Sequence, residues 1–251
     1  VFAGSASKPV LEEAALKFEE HSGVKVELHF SGSGRMLSEM MMSKSGDIYI
    51  PGSPDFMEKA EAYGVVYPET EKILAYLIPA ILVKKGNPKD IHTLKDLARE
   101  GIRVGIAEPE SVCVGLYAVE ILEKNNLLTE VGKNIITRAE SCSKTASLLL
   151  LDSVDALIGW RIFEKWHPDK IEAIYLDSSQ IPRIAYIPAA ISVYTKNREK
   201  AEKFIEFLSS SEGKRIFRSY GYLASESEAR SYAPEAMVGG LYQLSEAWRR
   251  G

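Results

Sequence analysis

Short apolar runs of strand length alternate with amphipathic stretches of helix length through most of this chain. That alternation restricts the fold to α/β architectures in which helices cover mostly parallel sheets. Two of the strand-like runs end in glycine–serine turns that open a helix: Val1-Phe2-Ala3-Gly4-Ser5 and Val26-Glu27-Leu28-His29-Phe30-Ser31-Gly32-Ser33-Gly34. A helix N-terminus carries unpaired backbone N–H groups and the positive end of the helix dipole, and both attract an anion. The spacing permits the two turns to converge on one negative ligand through neutral donors.

The first predicted helix spans residues 8–21, with Leu11, Ala14, Ala15 and Phe18 on one buried face, Pro9 in the first turn and Gly23 at the end. Helices are also predicted over 35–43, 54–63, 114–124 and 198–209, and one through Leu151 capped by Ser143 or Thr145. Strands are predicted over 47–51, 102–107, 135–139, 156–160 and 187–194. The apolar segments 77–83 and 186–193, each followed by a polar turn, read as two crossings between lobes. One lobe then comprises residues 1–80 and 190–251, the other 81–189, with a ligand cleft between them.

The 251 residues carry a formal net charge of −4, which gives no reason to expect nucleic acid or an anionic membrane as partner. No apolar run approaches the roughly 18 residues of a membrane span. Val1 already lies inside a strand pattern, so a segment upstream of it is expected. The four histidines, His21, His29, His92 and His167, lack metal-ligand spacing, and no nucleophile or nucleotide-binding motif is present. The residues therefore predict a binding protein and no enzyme.

The series Val1-Phe2-Ala3-Gly4-Ser5, Phe30-Ser31-Gly32-Ser33-Gly34, Gly46-Asp47-Ile48-Tyr49-Ile50, Val83-Lys84-Lys85-Gly86-Asn87-Pro88, Gly115-Leu116-Tyr117-Ala118 and Glu212-Gly213-Lys214-Arg215-Ile216-Phe217 resembles, in order and spacing, the bacterial periplasmic molybdate/tungstate-binding proteins of ABC transporters. The resemblance implies a two-lobed type II periplasmic-binding fold, each lobe a mostly parallel sheet flanked by helices, joined by two crossing strands. It implies an extracytoplasmic receptor, periplasmic or extracellular and membrane-anchored if the missing N-terminus carries an anchor. Such a receptor closes on a tetrahedral oxyanion and delivers it to a membrane permease. A monomer is expected, with no cofactor beyond the bound oxyanion and no metal site, since an oxometalate binds as an anion.

Carried over by position, Ser5 and Ser33 are the hydroxyl donors, and Val114 and Cys142 fall on the backbone-amide positions. The tyrosine expected as the remaining contact is replaced by Trp160, whose indole N–H donates but cannot accept. Gly4, Arg35, Cys113 and Arg161 are additional candidates. Serines in glycine turns also cap their own helices, and first-turn arginines are commonly solvated, so each has a purely structural alternative. A related archaeal branch completes an octahedral site with carboxylates, one placed two residues before the amide donor; here that position is Val112. For Cys113 and Cys142 the readings are, in order, a disulfide, two buried small hydrophobes, or low-pKa thiols holding a thiol-reactive ligand. The alternatives to an oxyanion receptor are a receptor for a different ligand and the effector domain of a transcription regulator.

Overall fold

The computed structural model describes residues 1–249. The chain opens with β1 (Phe2–Gly4), a single 3-10 turn (Ser5–Ser7) and α1 (Lys8–Ser22). There follow β2 (His29–Ser31), α2 (Ser33–Ser43), β3 (Ile48–Ile50), α3 (Pro54–Ala62) and β4 (Val66–Leu77). The middle of the chain contributes β5 (Pro79–Lys84), β6 (Val104–Ala107), α4 (Cys113–Lys124), α5 (Leu128–Gly132), β7 (Ile135–Ala139), α6 (Cys142–Leu150), β8 (Ala156–Trp160), α7 (Phe163–Trp166) and β9 (Ile171–Tyr175). The last part holds β10 (Arg183–Ser192), α8 (Arg198–Ser209), α9 (Ser211–Ser219), α10 (Glu226–Arg230), β11 (Met237–Val238) and α11 (Glu246–Arg249).

Two sheets result. The first runs β11-β10-β3-β1-β2, with β4 also paired to β10; the second runs β7-β6-β8-β5-β9. Both are mixed where mostly parallel sheets were expected. β1 lies parallel to β2 and β3, and β6 parallel to β7 and β8. The strands on either side of the crossings, β4, β5, β9 and β10, pair antiparallel. A strand that passes directly from one sheet to the other reverses sense relative to strands joined by helical crossovers.

The helices form where the periodicity placed them. α1 buries Val10, Leu11, Ala14, Ala15 and Phe18, and Gly23 closes it in the left-handed conformation at φ 68°, its N–H on the Glu19 carbonyl. α8 buries Ala201, Phe204, Ile205 and Leu208 against the same core. α6 is capped two to four residues earlier than expected: Ser141, not Ser143 or Thr145, accepts the Lys144 N–H at 3.2 Å.

The crossings also differ. The first lies at Ile78, between β4 and β5, within the predicted segment. The second was placed at 186–193, with the lobe boundary at 189/190, but β10 lies wholly in the first sheet. The crossing is the stretch between β9 and β10. An apolar run buried on both faces looks alike whether it crosses or stays in one sheet.

After Leu223, bridged to Tyr76 in the first lobe, the chain laces the lobes together. Tyr232 stacks on Arg161 of the second lobe, its ring centroid 4.0 Å from the guanidinium carbon. β11 then returns to β10, and Trp248 ends over Arg138 beside β6. At the seam, buried Arg183 on β10 meets Asp55 of α3 at 3.1 Å and Glu120 of α4 at 2.8 Å.

β4 carries one group in an unfavourable state. Burial, a hydrogen bond with Glu61 and repulsion from Glu61 and Glu58 push the Glu71 carboxyl up to about 7. The folded chain keeps this proton where the unfolded chain has released it, so stability falls as pH rises from about 4.5 to 7. Glu71→Gln is expected to raise Tm at pH 8 and leave it unchanged at pH 4, read by thermal melts across that range.

Candidate functional site

β2, β1 and β3 are neighbours in the first sheet; β1 ends in Gly4, and Gly32 and Gly52 follow β2 and β3 within two residues, each glycine being followed directly or after one residue by the start of a helix or 3-10 turn. Their C-terminal ends therefore share one edge, where ligands of α/β sheets collect. Ser5 follows β1 and Ser33 opens α2; both are buried. From the opposite lobe, α4 and α6 present their N-termini to the same place through Cys113, Val114, Cys142 and Ser143.

Contacts join the two halves. The Ser143 N–H donates to Ser5 Oγ at 3.2 Å, and Ser33 Oγ lies 3.0 Å from Cys113 Sγ while accepting the Gly52 N–H at 3.1 Å. The Gly34 N–H reaches across to the Ser111 carbonyl at 2.9 Å. Glycine is required for this approach: a Cβ on Gly4 would fall 2.6 Å from Ser33 Oγ, and one on Gly32 would fall 2.7 Å from the Glu140 carbonyl oxygen. Tyr49 of β3 fixes the turn by donating its hydroxyl to the Ser33 carbonyl at 2.8 Å.

Trp160, fully buried at the end of β8, packs its ring edge-on to Tyr117 with centroids 5.1 Å apart. The Val114 and Trp160 N–H groups lie close enough to the Cys142 thiol to act on it electrostatically. Ser53 Oγ, Tyr117 Oη and Trp160 Nε1 are buried and find no conventional hydrogen-bond partner among the described residues. A buried donor left in that state is destabilising by roughly 1–3 kcal/mol.

The structure thus brings together Ser5, Ser33, Cys113, Val114, Cys142 and Trp160, with Gly4 as a spacer. It leaves two candidates outside. Arg35 is exposed and pairs with Glu39 at 2.8 Å, and Arg161 stacks between Tyr232 and Tyr175. Neither supplies charge to the cleft. The buried cation Arg183 is matched by Asp55 and Glu120.

Two readings of the cysteines are corrected. Both are free and buried, so there is no disulfide. Nor are they low-pKa thiols: burial pushes Cys113 up to about 11 and Cys142 higher still. Desolvation of the thiolate outweighs the helix N-termini that would otherwise favour it. They are protonated, weakly polar lining groups.

A protein-family model described as bacterial extracellular solute-binding protein matches residues 1–223. The chain belongs to that family. Among its relatives, a putative ABC transporter substrate-binding lipoprotein of Bacillus subtilis is 23% identical over 225 residues, covering 89% of this chain and 85% of the relative. The periplasmic molybdate-binding protein of Azotobacter vinelandii superposes with a TM-score of 0.79 at 18% identity, over 89% of this chain and 98% of that one. The sulfate-binding protein SubI of Mycobacterium tuberculosis superposes with a TM-score of 0.80 at 16% identity, over 94% and 92%. The solute-binding protein thus has the type II periplasmic-binding fold shared by these neighbours.

Sequence reading missed Ser53 and Tyr117. Ser53 had a signal: Gly52-Ser53 follows β3 after Pro51, as Gly4-Ser5 closes β1 and Gly32-Ser33 follows β2. Tyr117 had only its helical spacing, which marks it as core. In the native protein a thiol reagent is expected to label neither cysteine rapidly, and in denaturant to label two. Addition of reductant is expected to leave Tm unchanged; a reductant-sensitive melt would restore the disulfide.

Proposed function

We propose that this solute-binding protein captures a tetrahedral oxyanion, molybdate or tungstate, by closure of its two lobes and delivers it to an ABC permease outside the cytoplasm. The observation that carries the reading is a buried interlobe cleft furnished with neutral donors, several of them unsatisfied, and with no uncompensated cation. Such a site suits a compact anion whose oxygens replace water by N–H and O–H donors. A hydrogen bond to a charged group contributes about 1.5–3 kcal/mol, so some six of them exceed the roughly 8 kcal/mol of micromolar affinity after the losses of association.

Ser5 and Ser33 donate hydroxyls, Val114 and Cys142 donate backbone N–H groups, and Trp160 donates its indole N–H. The thiols of Cys113 and Cys142 line the wall. Closure is a hinge motion at Ile78 and at the stretch between β9 and β10. We read the protein as a receptor and not an enzyme, because the thiols beside the donors are held protonated and Asp55, the carboxylate nearest them, is committed to Arg183.

A second reading, sulfate, is favoured by one feature: Trp160 is bulkier than a tyrosine and is fully buried at the cleft, which suits the smaller tetrahedron. Calorimetry of ligand-stripped protein against molybdate, tungstate, sulfate and phosphate decides between them. Submicromolar binding of molybdate or tungstate, weakened at least fivefold by Ser33→Ala, is expected from the loss of one charged hydrogen bond. Tighter sulfate binding would select the second reading, and no heat with any oxyanion would overturn both.

A further inference from the structure

Three adjacent strands of the first sheet, β2, β1 and β3, deliver a Gly-Ser pair to the same edge: Gly32-Ser33, Gly4-Ser5 and Gly52-Ser53. The first two serines are already placed in the oxyanion site; nothing has placed the third. We propose that Ser53 is a ligand-binding residue, the third hydroxyl donor of the cleft. The inference rests on the oxyanion reading and adds a contact to it.

Ser53 occupies the position that precedes α3, where a serine ordinarily caps the helix by accepting an N–H from its first turn. It makes no such bond. Pro54 follows it directly and has no N–H to offer. The hydroxyl is fully buried and without a conventional hydrogen-bond partner among the described residues. A purely structural serine at this position would be expected either to cap or to be replaced by a residue with nothing to satisfy, because burying an unmatched hydroxyl is destabilising.

The surroundings of the hydroxyl show what it serves. Ser53 Oγ interacts with the Cys113 thiol, the same sulfur that lies 3.0 Å from Ser33 Oγ and 3.2 Å from where a Cβ on Gly52 would fall. Ser33, Gly52 and Ser53 of one lobe thus surround one atom of the other. A thiol sulfur is a weak acceptor, so these donors face a poor substitute for an anionic oxygen. Strand ends spaced about 5 Å apart along a sheet offer three hydroxyls side by side. A tetrahedral oxyanion presents three oxygens on any face, whereas a carboxylate has two oxygens in all. The trio therefore favours a tetrahedral ligand over a carboxylate.

The test is calorimetry of the full chain and its Ser53→Ala and Ser53→Thr variants. Each is titrated with molybdate and sulfate, and with acetate as the carboxylate probe. Ser53→Ala is expected to weaken the better oxyanion at least fivefold with no fall in the Tm of the ligand-free protein, and Ser53→Thr, which keeps the hydroxyl, to recover most of the loss. Equal affinity of Ser53→Ala and the unaltered chain overturns the proposal. So does an equal loss in both variants, which would trace the effect to packing and not to the hydroxyl. If Ser53→Ala fails to fold, Ser53→Cys, which keeps the volume and replaces the strong donor with a weak one, carries the same expectation. Absence of oxyanion binding by the unaltered chain would overturn the oxyanion reading itself, an outcome distinct from loss of the Ser53 contact alone.

Discussion

The N-terminal ends of α2, α4 and α6 meet in direct contact between the lobes, and the donors there have few acceptors. Helix starts carry N–H groups that must be satisfied by a side chain, by water or by a ligand. Here the supply of acceptors is short. Ser5 Oγ takes one N–H from across the cleft, Ser33 Oγ takes another from Gly52, and two thiols stand where stronger acceptors would serve. Much of the molecule is arranged so that this deficit persists. The glycines at 4 and 32 let the backbones approach, Tyr49 holds the Ser33 turn, and the buried Arg183 joins helices of both lobes.

Much of the fold was legible in the sequence because each element carries its own pattern. The spacing of Leu11, Ala14, Ala15 and Phe18 is enough to define α1, and the apolar run at 156–160 is enough to define β8. What was not legible depends on distance. Whether residues 186–193 cross between sheets depends on which strands pair with them, and no local pattern encodes that. The cysteine state was illegible for the same reason: spacing along the chain does not fix where two Cβ vectors point. The ion trio of Arg183, Asp55 and Glu120 joins residues 63 and 128 positions apart, so only the structure reveals it.

The candidate site was legible in part. A Gly-Ser pair after a strand is a local signal, and Ser5 and Ser33 were read from it. The backbone N–H groups of Val114 and Cys142 came from the resemblance, because an amide donor leaves no trace in residue type. Trp160 was identified, but not its effect: a large ring at the cleft, edge-on to Tyr117, whose one polar atom donates and cannot accept.

The position of β10 governs the order in which the chain can assemble. β4, a twelve-residue strand, is paired in its sheet to β10, and β10 also closes onto β3. During synthesis, β1 to β3 can associate early, but β4 waits for a strand more than a hundred residues later. The second lobe, emerging between them, is built from contiguous sequence and can form first. The segment after Leu223 then threads over both. The first lobe is therefore completed last, and until the C-terminal third of the chain has been made, the edge of β4 stays open to whatever else is present.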